Sequence, residues 1–320
     1  MALVSNIYAN TLASQNEKQL LDDDKLRRII DSDYDGALKL LSDYGFGDAQ
    51  TVGKSADEII NAETDKLVAF VREYAHSDSV RDVLLSQFAF NNVKAAYKAM
   101  SSGIKVPEGS IYPAFKDYAD MVVAKEYDDL PAEIKETLTR LDEKAEEALS
   151  ASEIDIELSK AEYRFKEKKS ALNKKLHDYV VSQAMLTNVL TLIRCYNLSR
   201  SALELRAQLL PVKKLDYEAF EAALSGSRDQ LKAFIEDCGF DEIIGEIGEH
   251  GEKIADIEKN VDEYLYLRLV SGREAFTSSA PFVKYFYRKS LELKMVKTVL
   301  VCIKNGRTEE LKRRLRKLDD

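Results

Sequence analysis

From Ala132 to Leu210 the chain carries neither a glycine nor a proline. A stretch of that length without the two residues that break helices, and rich in Ala, Leu, Glu and Lys, is committed to helix. Inside it Ile154, Leu158, Ala161 and Phe165 fall at i, i+4, i+7 and i+11, one apolar stripe. Leu158, Phe165, Leu172, Tyr179, Leu186 and Ile193 follow at seven-residue steps, but Lys168 and Lys175 occupy companion positions, so the seam is not that of a coiled coil. The pattern predicts a long helix packed within its own chain. The rest of the sequence agrees: only 5 prolines and 13 glycines occur in 320 residues, and strand signals are weak throughout. The fold class read from this is all-α. Ser55-Ala56-Asp57-Glu58 and Ser227-Arg228-Asp229-Gln230 are capping boxes, and Ser279-Ala280-Pro281 is a helix start with proline in the first turn. Gly103, Gly226, Gly272 and Gly306 stand where helices should stop.

A weak internal repeat divides the chain. Phe90-Asn91-Asn92-Val93, Leu186-Thr187-Asn188-Val189 and Leu293-Lys294-Met295-Val296 open similar apolar helices, and six positions after each valine stands a small residue: Ala99, Cys195 and Cys302. A second echo pairs Leu40–Phe46 with Phe234–Phe240. Three related helical units are expected, at 1–107, 108–211 (holding the long central helix) and 212–320 (ending in a basic helix).

The chemistry that would make an enzyme is missing from the sequence. No glycine-rich loop ends in Lys-Ser or Lys-Thr, and Gly245, Gly248 and Gly251 are spaced like no nucleotide fingerprint and read as a linker. His76, His177 and His250 form no metal pair at helical spacing, and no serine or cysteine stands in a nucleophile motif. Asp22-Asp23-Asp24 reads as an acidic helix start. The odd, scattered cysteines Cys195, Cys238 and Cys302 suggest packing in a reducing compartment. No cofactor and no catalytic or metal-binding residue is expected. The longest uncharged run, Tyr179–Ile193, is short of the roughly 18 residues that a spanning helix needs, so no direct membrane insertion is expected. A net charge of −9 argues against general nucleic-acid binding. That charge is uneven: between Val283 and Asp320 twelve Lys or Arg stand against five Asp or Glu. Such a basic end is either a solvated helix face or a surface for an acidic partner or anionic lipid.

The two ends of the chain carry a resemblance. Tyr8-Ala9-Asn10, Leu20-Leu21 and Leu38-Lys39-Leu40-Leu41-Ser42-Asp43-Tyr44 at the start are similar to the C-subunit family of the V-type (A/V-type) rotary ATPases, which has the d protein as its eukaryotic counterpart. So are Pro281-Phe282-Val283-Lys284-Tyr285-Phe286, Glu292–Lys297 and Gly306 with its basic sequel at the close. The chain departs from that family at Met295 and Lys297, where Asn and Arg are usual. The resemblance implies three helical domains in a pseudo-threefold funnel, a non-catalytic central-stalk socket. Its partners would be shaft subunits D and F, the membrane proteolipid ring and, as a further neighbour, the membrane stator subunit. It would sit peripherally on the cytoplasmic face, coupling ATP chemistry to proton or sodium transport. The competing class is a helical repeat scaffold unrelated to rotary ATPases. Lys297, Arg307, Lys312, Arg313 and Arg316 are the expected partner-facing residues: Lys297 follows Met295 at the site where the family carries its Asn and basic residue, Arg307 follows the turn at Gly306, and the others ride on a helix whose stripe is Leu311, Leu315 and Leu318.

Overall fold

A computed structural model describes residues 5–47, 55–107, 109–144, 149–240, 265, 277–309 and 311. Among them lie α-helices joined by turns and no strand, so the fold is all-α. In chain order they are α1 (Asn6–Glu17), α2 (Asp23–Ile30), α3 (Tyr34–Asp43), α4 (Ala56–Tyr74), α5 (Asp78–Ser101), α6 (Lys116–Ala124), α7 (Ala132–Glu143), α8 (Ala151–Ser170), α9 (Lys174–Asn197), α10 (Ala202–Gln208), α11 (Tyr217–Ser225), α12 (Arg228–Asp237) and α13 (Ala280–Lys304). Both expected capping boxes form, Ser55 with Glu58 and Ser227 with Gln230. Asp22 is the N-cap of α2, its carboxylate accepting from the Lys25 N–H at 2.8 Å, with Asp23 and Asp24 in the first turn. Gly103 and Gly306 end helices in the left-handed region, at φ +65° and +66°. Gly226 ends α11 in an extended conformation instead, and Gly272 lies outside the described residues.

The long helix expected between residues 132 and 210 is divided into α7, α8, α9 and α10. The cause is capping rather than a helix breaker. Ser150 and Ser201 each accept a backbone N–H at the third helical position, and Glu153 and Glu204 reach back to them. Asn173 caps α9 through Leu176 N–H at 3.2 Å. The seven-residue series shows the consequence: Leu158, Phe165, Tyr179, Leu186 and Ile193 are buried, whereas Leu172, in the turn between α8 and α9, is 102% exposed.

Two compact units are present. The first joins α1–α4, the opening of α5 as far as Leu85, Tyr112–Ala114 and α13 from Pro281 on. Its core stacks Phe70 on Phe282, with ring centres 5.2 Å apart, and sets Tyr285 edge-on at 5.3 Å. Charges reinforce the same junction. Glu17 of α1 takes Lys284 at 2.9 Å and Arg288, both from α13. The buried Glu63 and Glu292 carboxylates hold Lys289 between them at 3.1 and 2.8 Å, and the ammonium lies 4.2 Å from the Phe46 ring centre. Glu292 also accepts from Leu21 N–H at 2.5 Å, and Glu63 from Gly47 N–H at 2.9 Å. Burial works against ionisation of Glu63, but Lys289, Lys66 and the Gly47 N–H outweigh it and hold its carboxyl below the usual carboxylate range.

The second unit takes α5 from Ser86 together with α6–α12. The predicted stripe of α8, Ile154, Leu158, Ala161 and Phe165, is buried there against Phe90, Val93 and Tyr97 of α5 and Ile134, Leu138 and Leu141 of α7. The Tyr97 and Tyr127 hydroxyls both donate to Asp142, at 3.1 and 3.0 Å, tying α5 to α7 and to the α6–α7 connection.

Candidate partner-binding surface

The three repeat helices share one register down to their hydrogen bonds. Val93, Val189 and Val296 are buried in α5, α9 and α13. Six residues on, the carbonyls of Ala99, Cys195 and Cys302 accept from the N–H of Ile104 (3.0 Å), Arg200 (2.9 Å) and Arg307 (2.8 Å). The residue before each donor is left-handed: Gly103 at φ +65°, Ser199 at +51° and Gly306 at +66°. Each helix therefore closes with the same Schellman corner at the same step from its valine. The second echo ends likewise: Phe46 N–H meets Leu41 O at 2.9 Å and Phe240 N–H meets Ile235 O at 3.3 Å, each after a left-handed glycine and each phenylalanine buried. Cys195 is buried in the core, and Cys238 and Cys302 are partly buried. Burial pushes the Cys195 thiol up, and burial with Asp237 nearby pushes Cys238 up to about 11.

The motifs expected to begin these helices lie in their middles instead, since α5, α9 and α13 start at Asp78, Lys174 and Ala280, and in two of the three the motif carries an asparagine. Asn92 Nδ2 donates to Phe115 O at 2.8 Å, and Asn188 Nδ2 to Leu210 O at 3.0 Å; both side chains are fully buried. Asn188 Oδ1 also accepts Leu210 N–H at 2.7 Å. Each clamps a stretch of chain just over twenty residues downstream. Met295 stands at this step in α13 and offers no such amide.

The expected surface residues are only partly gathered. Lys297 is engaged within its own unit, Nζ to Asp57 Oδ1 of α4 at 3.1 Å, with both side chains half-exposed or more. Arg307 is exposed, immediately past the Gly306 corner. Lys312, Arg313 and Arg316 lie outside the described residues; Leu311 before them is helical and partly buried. Sequence reasoning passed over Arg200, although its eleven-residue step from Val189 is that of Arg307 from Val296. Arg200 pairs with Glu204 at 3.0 Å on the surface.

A family model described as ATP synthase (C/AC39) subunit matches residues 9–314. The chain belongs to that family. The match runs through the middle of the chain, where the end motifs do not reach, and makes this protein an accessory subunit of a V/A-type ATP synthase, a membrane-associated complex. No curated protein matches this C/AC39 chain closely enough to count as a relative. No described helix is long and apolar enough to cross a membrane.

Proposed function

We propose that this C/AC39 protein is the non-catalytic socket of the central stalk. It receives the tip of shaft subunits D and F and rests on the proteolipid ring at the cytoplasmic face, passing torque between ATP chemistry and ion movement. The observation that carries this reading is the shared register of α5, α9 and α13, each closed by the same corner at the same step. Three equivalent arms, one from each of the units 1–107, 108–211 and 212–320, suit a part that must grip an axle, because each arm then offers its partner one kind of contact. The work is interfacial, so it calls for large obligate contacts, on the order of 2,000 Å² or more, rather than reacting groups. The capping boxes on α4, α8, α10 and α12 and the buried Glu63–Lys289–Glu292 charges suit a part under torque, since few backbone groups at those ends are left to fray. The test is purification of the tagged chain from native membranes. Recovery with shaft and ring subunits supports the socket; recovery alone, or with unrelated proteins as a repeat scaffold would give, sinks it.

A further inference from the structure

The corner that closes α9 differs from its two counterparts in ways that packing within the chain does not use. Its left-handed residue is Ser199, at φ +51°, where the other two are glycines. A side chain disfavours that conformation. Two leucines face outward on either side: Leu198 is 65% and Leu203 79% exposed. Between them Arg200 holds Glu204 Oε1 at 3.0 Å. Glu204 is itself fixed, its other oxygen accepting from the N–H and hydroxyl of Ser201, both at 2.9 Å. The guanidinium is thus oriented, half in solvent, and one carboxylate oxygen leaves most of its five N–H donors unused. The residue that follows the left-handed glycine at the α5 corner, in the place Arg200 takes at this one, is Ile104, itself 60% exposed.

We infer that the α9–α10 corner, with Leu198, Arg200 and Leu203, docks a protein segment that presents a carboxylate flanked by apolar side chains, supplied by another component of the complex. Charge selects this occupant. The chain carries −9 overall and repels acidic surfaces in general, so a displayed and oriented arginine marks where one is admitted. Arginine suits a bidentate carboxylate, and the exposed leucines would shield that pair from water once covered. The repeat puts Arg307 at the same step in α13, so the same chemistry is offered twice.

This assignment rests on the socket reading, and the experiment separates the two. The full chain is reconstituted with the remaining ATPase subunits as wild type, as Arg200→Glu, as Leu198→Ser with Leu203→Ser, and as Leu172→Ser, which removes a still more exposed leucine from the turn before α9. The corner variants should assemble at least about tenfold more weakly, as loss of an interfacial charge pair does, while Leu172→Ser assembles as wild type. A wild-type chain that joins none of the ATPase subunits overturns the socket and this surface with it. A wild type that assembles, with corner variants assembling equally well, overturns this surface alone. Should a corner variant fail to fold, maleimide labelling of Leu203→Cys, read at that residue by mass spectrometry, decides: it should slow about tenfold on assembly, the factor that burial of the site by a tight partner brings, and an unchanged rate overturns the inference.

Discussion

Asn188 is a buried amide that answers both main-chain groups of Leu210. Asn188→Ala leaves those groups unpaired in a largely dry setting and should cost about 2–3 kcal/mol in urea unfolding, with Asn188→Asp recovering only the acceptor half. Glu63 makes a pH prediction. Its folded pKa lies below the unfolded value of about 4.3, so its stabilisation is fully present above that value and is lost as pH falls through the folded pKa. Stability measured from pH 6 down to pH 3 should therefore drop, and Glu63→Gln should flatten the drop while costing about 3 kcal/mol at neutral pH, because Lys289 loses a buried partner. Lys297→Ala should cost under about 0.5 kcal/mol, its ion pair being largely in water. Little of this was legible beforehand. The asparagines at 92 and 188 stood out in the repeat, but they bond to backbone, which has no sequence signature. Glu63 and Lys289 are joined only by the fold, and no local pattern links positions so far apart.

At the scale of elements, helix starts were legible wherever a Ser-x-x-Glu or Ser-x-x-Gln pattern followed a turn signal, as at Ser55 and Ser227. The same pattern at Ser150 and Ser201 was hidden inside the stretch without glycine or proline, and the heptad series ran straight through Asn173. Periodicity reports which face a residue takes, not whether two helices in phase are one helix, and only the exposure of Leu172 separates the cases. Ser201→Ala should lower the thermal midpoint by the equivalent of about 1 kcal/mol, through loss of the cap on α10. The three corners make a sharper test. Ser199→Gly relieves a left-handed side chain and should stabilise by about 1 kcal/mol, whereas Gly306→Ser imposes one and should destabilise by a similar amount. Opposite signs at equivalent steps would bear out that the corners are one structure; equal signs would refute it.

For the whole molecule, the helical class was legible from composition and the family from its two ends, while the packing of those ends into one unit was not. The basic end carries its own prediction: reversing the charges of Arg307, Arg313 and Arg316 together should leave folding intact and weaken assembly of the complex, most at low salt, as measured by pull-down across a salt series. Normal assembly at every salt concentration would reduce those charges to a solvated face. The first unit adds a consequence for biosynthesis. Glu17, Leu21 and Glu63 find partners on α13, so the opening helices emerge from the ribosome without the helix that completes their core. The second unit, whose residues run from Ser86 to Ala280, is translated in between. At typical elongation rates of 5–20 residues per second, α1–α4 wait roughly 10–40 s for α13, an interval in which the apolar faces carrying Leu26, Ile29, Leu67 and Val71 stand open. A nascent chain of this protein thus keeps an open apolar face from its first helices until α13 is made, and a stop codon before Pro281 would strand the beginning of the chain as surely as its end.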